Sequence, residues 1–426
     1  MRLFFIQLIL LAFFSSGISQ EILPLKSRAE IIDKIQKDRL DNLLPKLMSK
    51  SNIDIWVLIA REYNEDPVIK TLLPATWLNA RRRTILVFSL DKKTNAVERV
   101  AITRYPFGKL IPSIWDKEKE PNQWKALADY IISKNPNKIG VNISEHFALA
   151  DGLVKTDYEG LKDALPKNYQ TKIVSAEKLA ISWIETRTDF EMVLFSQLVE
   201  ITHSIIKEAF SNKVIKVGQT TTDDVVWWMR EKVLSLGLDT WFHPTIDVQR
   251  SDNSDLYAFD GQSKYDVIQY GDLLHCDFGI SYLSLNTDCQ QLAYVLSPGE
   301  KAAPDFLNEA LDQGNRVQDI FTTNFKLGLS GNETLRKSLQ DAKAEGLRPQ
   351  IYTHPLGTFG HSAGTTFGMW DSQDGVPIKG DYPLQLNTSY AIELNTKVYI
   401  SQWGKDIRVM LEEAGFYGEN GFRYVN

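Results

Sequence analysis

The chain has 426 residues, 43% of them apolar and 24% charged, with no long low-complexity tract. That is enough to build two domains with ordinary hydrophobic cores. The formal net charge of −6, without any clustered block of Lys and Arg, argues against nucleic acid as a partner, because phosphate recognition needs a basic face.

Taken in chain order, the first residues read as an export signal rather than as part of the fold. Met1-Arg2 gives a short positive start, Leu3 to Phe14 is apolar except for Gln7, and Ser15 to Ser19 are mostly small. This pattern predicts a signal peptide over 1–19, cleaved after Ser19, and release as an exported (periplasmic or secreted) protein. A membrane anchor is the competing reading, but the apolar run is far shorter than the roughly 20 residues a spanning helix needs. No stable membrane anchor is expected, since no second apolar stretch of spanning length follows.

Residues 20–178 are expected to form one α/β unit. A charged amphipathic helix pattern from about Ser27 to Leu47 leads into an apolar strand, Ile53 to Ile59. Further strand patterns lie at Thr84–Leu90, Val97–Ile102 and Lys138–Val141, with helical patterns at Gln123–Ile132 and Gly152–Leu165. Strands alternating with helices imply a mixed sheet with helices on its faces. Acids and bases here read as solvated helix faces. The boundary is drawn between 175 and 185, giving a second domain of 179–426. That half opens with a strongly periodic helix, about Asp189 to Phe210, whose stripe runs through Phe190, Val193, Leu194, Leu198, Ile201 and Ile205. Another helix follows at about Thr222–Leu236, and strands with Gly-rich turns take over from Asp247.

The chemistry concentrates in this last region. In Gly271-Asp-Leu-Leu-His-Cys-Asp-Phe-Gly279, strand alternation puts Leu274, Cys276, Phe278 and Ile280 on one face, and Leu273, His275 and Asp277 on the other. Asp288 lies eleven residues beyond Asp277, before a second apolar stretch. If the two strands form a hairpin with the aspartates opposite one another, their carboxylates converge, and a divalent cation relieves their repulsion. Otherwise they are two unrelated aspartates flanking a loop. The same pairing would set Cys276 across from Cys289, as a disulfide bracing the hairpin or as two buried free thiols. Downstream come His354-Pro-Leu-Gly-Thr-Phe-Gly-His361, Ile392-Glu393-Leu394 and Val409-Met410-Leu411-Glu412-Glu413. A single histidine is usually structural; the ordered set of Asp, Asp, His, Glu and Glu is what points to a metal centre.

This order and spacing resemble the metallopeptidases of the "pita-bread" fold, the group of methionine aminopeptidase, Xaa-Pro aminopeptidase, prolidase and creatinase. The resemblance covers the whole chain after the signal and is specific in the C-terminal half. It implies a two-domain α/β protein: an N-terminal creatinase-like α/β domain, and a C-terminal pita-bread catalytic domain with an antiparallel sheet and helices. By resemblance Asp277, Asp288, His354, Glu393 and Glu412 are the metal ligands, with Asp288 and Glu412 bridging. Gly421, nine residues beyond Glu412, matches the family's closing turn and favours Glu412 over Glu413. Two divalent cations are implied, manganese first, with zinc or cobalt as alternatives. A water shared by the two metals would be acidified to attack a scissile carbonyl. Glu393 would carry its proton to the leaving amine, and His361 would contact substrate and steady the oxyanion. His275 is either an outer partner of this site or structural.

Departures from the family pattern bear on substrate. The interval Asp247–Tyr270 holds no histidine where relatives usually carry one. His243 either substitutes or simply ends a turn before Pro244. Leu394-Asn395-Thr396 stands where Pro-Gly is usual. His361-Ser362-Ala363-Gly364 and Trp370-Asp371 look closest to an exported, Xaa-Pro-aminopeptidase-like group. The expected partner is a peptide or small amide, and the larger relatives often form homodimers. A creatinase-like amidohydrolase and an inactive peptide-binding relative are the alternatives, the second disfavoured because all five ligand types and His361 are retained.

Overall fold

A computed structural model of the chain describes residues 22–252 and 266–425; the expected signal peptide lies outside them. Helix α1 (Leu25–Asp38) passes through a π-helical turn, Arg39–Leu43, into α2 (Leu44–Ser51). Then follow β1 (Ile55–Arg61), α3 (Pro67–Leu72), β2 (Arg83–Asp91), β3 (Ala96–Ala101), α4 (Gln123–Lys134), β4 (Ile139–Val141), α5 (Lys155–Ala164), α6 (Lys167–Gln170) and β5 (Ile173–Ser175). The sheet order is β3-β2-β1-β4-β5, antiparallel on the β2 side and parallel on the β4 side. Period-2 alternation explains why β1 reads as an unbroken apolar run. Ile55, Val57 and Ile59 pack under Leu127, Ile131 and Leu161 of α4 and α5, while Trp56, Leu58 and Ala60 pack against Met48, Val68 and Trp183. Both faces are covered, so both sets of side chains are apolar.

Helix α7 (Glu177–Glu185) follows, and its Leu179, Ile181, Trp183 and Ile184 join the core of the first sheet. Helix α8 (Asp189–Ala209) starts with a capping box, Thr188 and Glu191 bonding each other's backbone N–H. Glu191 is also the centre of a buried ion network. Arg39 Nη1 donates to it at 2.7 Å and Arg187 Nη1 at 2.8 Å, and Arg187 Nη1 also reaches Thr358 Oγ1 at 3.0 Å. Burial raises the Glu191 pKa, but the two guanidiniums more than offset this and hold the carboxyl below its ordinary range. The π-helical turn carrying Arg39 is thus bonded to the start of the second half, and through Arg187 to the loop after His354.

The second sheet follows α9 (Thr222–Ser235). It opens with β6 (Thr245–Gln249), β7 (Leu273–Phe278) and β10 (Cys289–Tyr294), and between β7 and β10 the short strands β8 (Ser281–Tyr282) and β9 (Leu285–Asn286) pair as a separate two-stranded sheet. Helices α10 (Asp305–Thr323) and α11 (Gly331–Ala344) precede β11 (Pro349–Ile351), β12 (His354–Leu356), β13 (Thr388–Ile400), β14 (Lys405–Gly418) and β15 (Gly421–Tyr424). The main order is β11-β13-β14-β10-β7-β6, with β12 on β13 and β15 on β14. Residues Leu198, Ile205 and Met229 of α8 and α9 pack on Leu274, Cys276 and Phe278, while Val317, Phe321 and Leu339 of α10 and α11 pack with Ile392 and Leu394. The helices therefore cover one face of a curled antiparallel sheet. The polar set His275, Asp277, Gln290, Glu393 and Glu412 lies on the other.

The register of the β7–β10 hairpin decides between the alternatives left open by the spacing. Asp277 faces Gln290, not Asp288; Cys276 faces Gln291, and Cys289 faces Phe278. The β8–β9 pair is the cause. Its tight turn, with Leu283 and Ser284 at φ 53° and 63°, shifts the pairing by two residues. Cys276 and Cys289 are consequently free and buried, without a disulfide. Two alkylatable thiols should appear on mass spectrometry of the unreduced, denatured protein; a mass two hydrogens lower with no labelling would contradict this register.

Candidate metal centre

Strand register assembles the site. Glu393 pairs with Glu412 across β13 and β14, Gln290 pairs with both Glu412 and Asp277, and His354 pairs with Ala391, two residues from Glu393 on the same face. Asp288 immediately precedes β10 and shares the Gln290 face. The five sequence-nominated residues come together. Ligand atoms of Asp277, Asp288 and Glu412 lie within 4.8 Å of one another, and so do those of His354, Glu393 and Glu412. His354 Nε2 is 3.7 Å from Asp288 Oδ2 and 3.8 Å from Glu412 Oε1. His361 also joins, its ring edge-on to that of His354 at 4.6 Å and its ligand atom within 4.8 Å of those of Asp288 and His354.

Electrostatics follow from crowding in a buried place. Burial, followed by the neighbouring charges, pushes Asp288, Glu393 and Glu412 well above the usual carboxylate range. Asp277, raised chiefly by burial and partly relieved by His275, lies at about 6. Burial and then the neighbouring His361 depress His354 to about 3, so its ring is neutral. Its Nδ1 lies 3.0 Å from the Pro355 carbonyl, which assigns the proton to Nδ1 and leaves the Nε2 lone pair aimed at the carboxylates. Asp277 Oδ1, Asp288 Oδ1, His354 Nε2 and Glu412 Oε1 are all buried without a hydrogen-bond partner. Orphaned buried acceptors are costly. Four of them, at one place, with four acids and a neutral imidazole, suit divalent cations as an oxygen-rich donor set.

Gln290 was missed at the sequence level. Its Nε2 donates to Glu393 Oε1 at 2.6 Å and to Glu412 Oε2 at 3.1 Å, while its Oε1 faces His275 Nε2 at 2.9 Å. His275 Nδ1 in turn lies 3.2 Å from Asp247 Oδ2. His275 is therefore linked to the Glu393 and Glu412 carboxylates through one amide. The signal was available, because Gln290 is two residues beyond Asp288 and must share its face. Gln290→Ala is expected to weaken metal binding by about 10–100-fold while the fold persists; a competition titration showing unchanged affinity would argue against this role.

Several local choices hold the centre in place. Trp241 Nε1 donates to the Thr287 carbonyl at 2.9 Å, and Thr287 Oγ1 meets Thr202 Oγ1 at 2.7 Å, tying the residue before Asp288 to α8. Gly279 is required here, since a Cβ would sit 2.2 Å from the Thr287 carbonyl oxygen. Gly360 makes room for the Trp241 ring, which lies edge-on to His361 at 5.1 Å. Glu413 points to the helix-covered face, where Gln291 and His203 contact it, leaving Glu412 as the inward acid. His243 is exposed and engages α9, 3.1 Å from Arg230 Nη1 and against the Trp227 ring. Where relatives were expected to turn after the glutamate, β13 runs straight on, and Asn395 Nδ2 donates to Tyr352 Oη at 3.0 Å.

Comparison with known proteins agrees with this geometry. Among solved structures the chain is similar to an X-Pro aminopeptidase from Thermotoga maritima MSB8 (TM-score 0.62, 14% identity, 89% of this chain and 97% of that one). It is also similar to a Xaa-Pro dipeptidase from Bacillus anthracis (0.57, 16%, 94% and 97%) and a prolidase from Pyrococcus horikoshii OT3 (0.54, 15%, 94% and 97%). At such identities the likeness speaks for the fold, the two-part architecture with a pita-bread second half. A search of curated proteins finds no match. The family model for metallopeptidase family M24 matches residues 194–414, just over half of the chain and all five residues of the cluster. A curled sheet that gathers these acids and the histidine, together with that match, leads to one assignment: the chain belongs to metallopeptidase family M24 and is a metallopeptidase.

Proposed function

We propose that the chain hydrolyses Xaa-Pro peptide bonds with two divalent cations held by Asp277, Asp288, His354, Glu393 and Glu412. The observation that carries this reading is the pair of overlapping ligand triads. Asp277–Asp288–Glu412 and His354–Glu393–Glu412 share Glu412, the arrangement expected of a carboxylate lying between two ions. Asp288, close to both Asp277 and His354, is the second bridging candidate. Manganese is the first choice for this donor set, with zinc or cobalt as alternatives. When bound, such ions acidify water toward hydroxide and polarise a carbonyl.

The chain's own residues supply the rest. Glu393, steadied by the Gln290 amide, accepts a proton from the attacking water and passes it to the leaving nitrogen. His361, at the rim and held below its usual pKa by burial, is neutral and presents a ring N–H to the carbonyl oxygen as negative charge develops there. Trp241 gives an apolar wall beside His361, suited to a proline ring. That the structural neighbours include an X-Pro aminopeptidase, a Xaa-Pro dipeptidase and a prolidase supports the Xaa-Pro preference. Manganese-loaded enzyme should hydrolyse Xaa-Pro dipeptides or Xaa-Pro-initiated peptides, and leave creatine and small acyl amides intact. Turnover of creatine or acyl amides instead, or of none of these substrates with manganese, zinc or cobalt, would overturn the reading.

The Met1–Ser19 pattern supports export as a further part of the proposal. Among the described residues no helix is long and apolar enough to cross a membrane. N-terminal sequencing of the protein from its natural source should begin at Gln20; an intact Met1 would contradict export by this signal.

A further inference from the structure

We propose that the chain carries a second, chemically different metal site on the helix-covered face of the same sheet, formed by His203, Cys289 and Glu413 and suited to zinc. A ring nitrogen of His203, the Cys289 sulfur and a Glu413 carboxylate oxygen all lie within 4.8 Å of one another. They come from three elements, α8, β10 and β14, so their meeting is a tertiary arrangement and not an accident of sequence proximity.

His203 Nε2 lies 3.1 Å from Glu413 Oε2, an ion-pair contact whose geometry falls outside that of a hydrogen bond, and Glu413 raises the pKa of the histidine. Cys289 is a fully buried free thiol placed beside both. Glu413 is oriented from its other oxygen by the Gln291 amide, as a ligating carboxylate commonly is. Imidazole, thiolate and carboxylate are each ligand types that zinc takes, and three protein ligands leave a fourth position to water. Their charges balance the dication once the thiol has released its proton to solvent. The His203 side chain is 36% exposed and gives an ion a route in. The contrast with the opposite face is chemical: the centre around Glu412 has no sulfur ligand, whereas this one does. Cys289 and Glu413 are the chain neighbours of Asp288 and Glu412, so an ion here would clamp α8 to the two strands that carry those acids.

Cobalt distinguishes the two sites, because only a thiolate ligand gives sulfur-to-cobalt charge-transfer absorption in the near ultraviolet. Manganese-loaded wild-type protein titrated with cobalt should develop that band, saturating at a single sulfur-bound cobalt per chain, and zinc should abolish it. Cys289→Ser should lose the band and Cys276→Ser should keep it. His203→Gln, at a partly exposed position, should also lose or strongly weaken it. Absence of the band in wild type, its survival in Cys289→Ser, or its loss in Cys276→Ser would overturn the proposal. The readout does not depend on peptidase activity, so failure of the Xaa-Pro reading and failure of this site remain separable.

Discussion

Asp288→Ala is expected to lower Xaa-Pro hydrolysis by at least about a thousandfold, the upper end of what a single well-placed stabilising group supplies. Asp288 is within reach of both Asp277 and His354, so its loss would affect both ions rather than one. The same substitution should raise the thermal stability of chelator-treated protein. Without cations, Asp288 is a buried acid among like charges, pushed far above its ordinary pKa by burial and then by Asp277 and Glu393, and its removal relieves that cost. Opposite signs for activity and metal-free stability mark a residue kept for chemistry. Wild-type-like turnover, or a chelated variant less stable than chelated wild type, would count against it.

The second large effect is on stability as a function of pH. In metal-free protein Asp277, Asp288, Glu393 and Glu412 all have raised pKa values. A carboxyl whose folded pKa exceeds its unfolded value binds more protons in the folded state. Its contribution is therefore fully present below the unfolded value, near 4, and is lost as pH rises through the folded value. For Asp277 that loss centres at about 6, and for the other three it comes higher. Bound cations remove the penalty by pairing the ionised forms. The gap in Tm between manganese-loaded and chelated protein should accordingly widen from pH 5 to pH 8. At a free metal concentration a thousand times Kd, each ion stabilises by about 4 kcal/mol, a shift of roughly several degrees in a chain of this size. Calorimetry showing the same gap at both pH values would contradict the coupled-acid description.

How much of this was legible in the sequence depended on which physical rule was in play. Strand alternation correctly separated Cys276 and Phe278 from His275 and Asp277, because side-chain parity needs no knowledge of the partner strand. Register did need it. The pairing that would set the aspartates opposite one another is off by two residues, since the Leu283–Ser284 turn and the Ile280 N–H bond to Thr287 Oγ1, at 3.1 Å, were not visible in composition. A shift of two preserves parity, so Asp277 and Asp288 still converge even though neither faces the other, while the cysteines part. Helix α8 was legible from its stripe. Helix α7 was not, because every residue from Leu179 to Glu185 is buried and leaves no polar face to mark a period. The buried Arg39–Glu191–Arg187 network was likewise out of reach, since Arg39 lies 152 residues from Glu191 and all three look like ordinary surface charges until the π-helical turn and the two halves meet.

The most direct measurement is to count manganese bound per chain by equilibrium titration, in wild type and in Glu412→Ala. The inward acids are taken to exist as a cradle for paired ions, so wild type should bind two, and the variant should lose at least the tighter of them. Failure of wild type to bind manganese, zinc or cobalt at micromolar concentrations, or undiminished binding by the variant, would contradict the account.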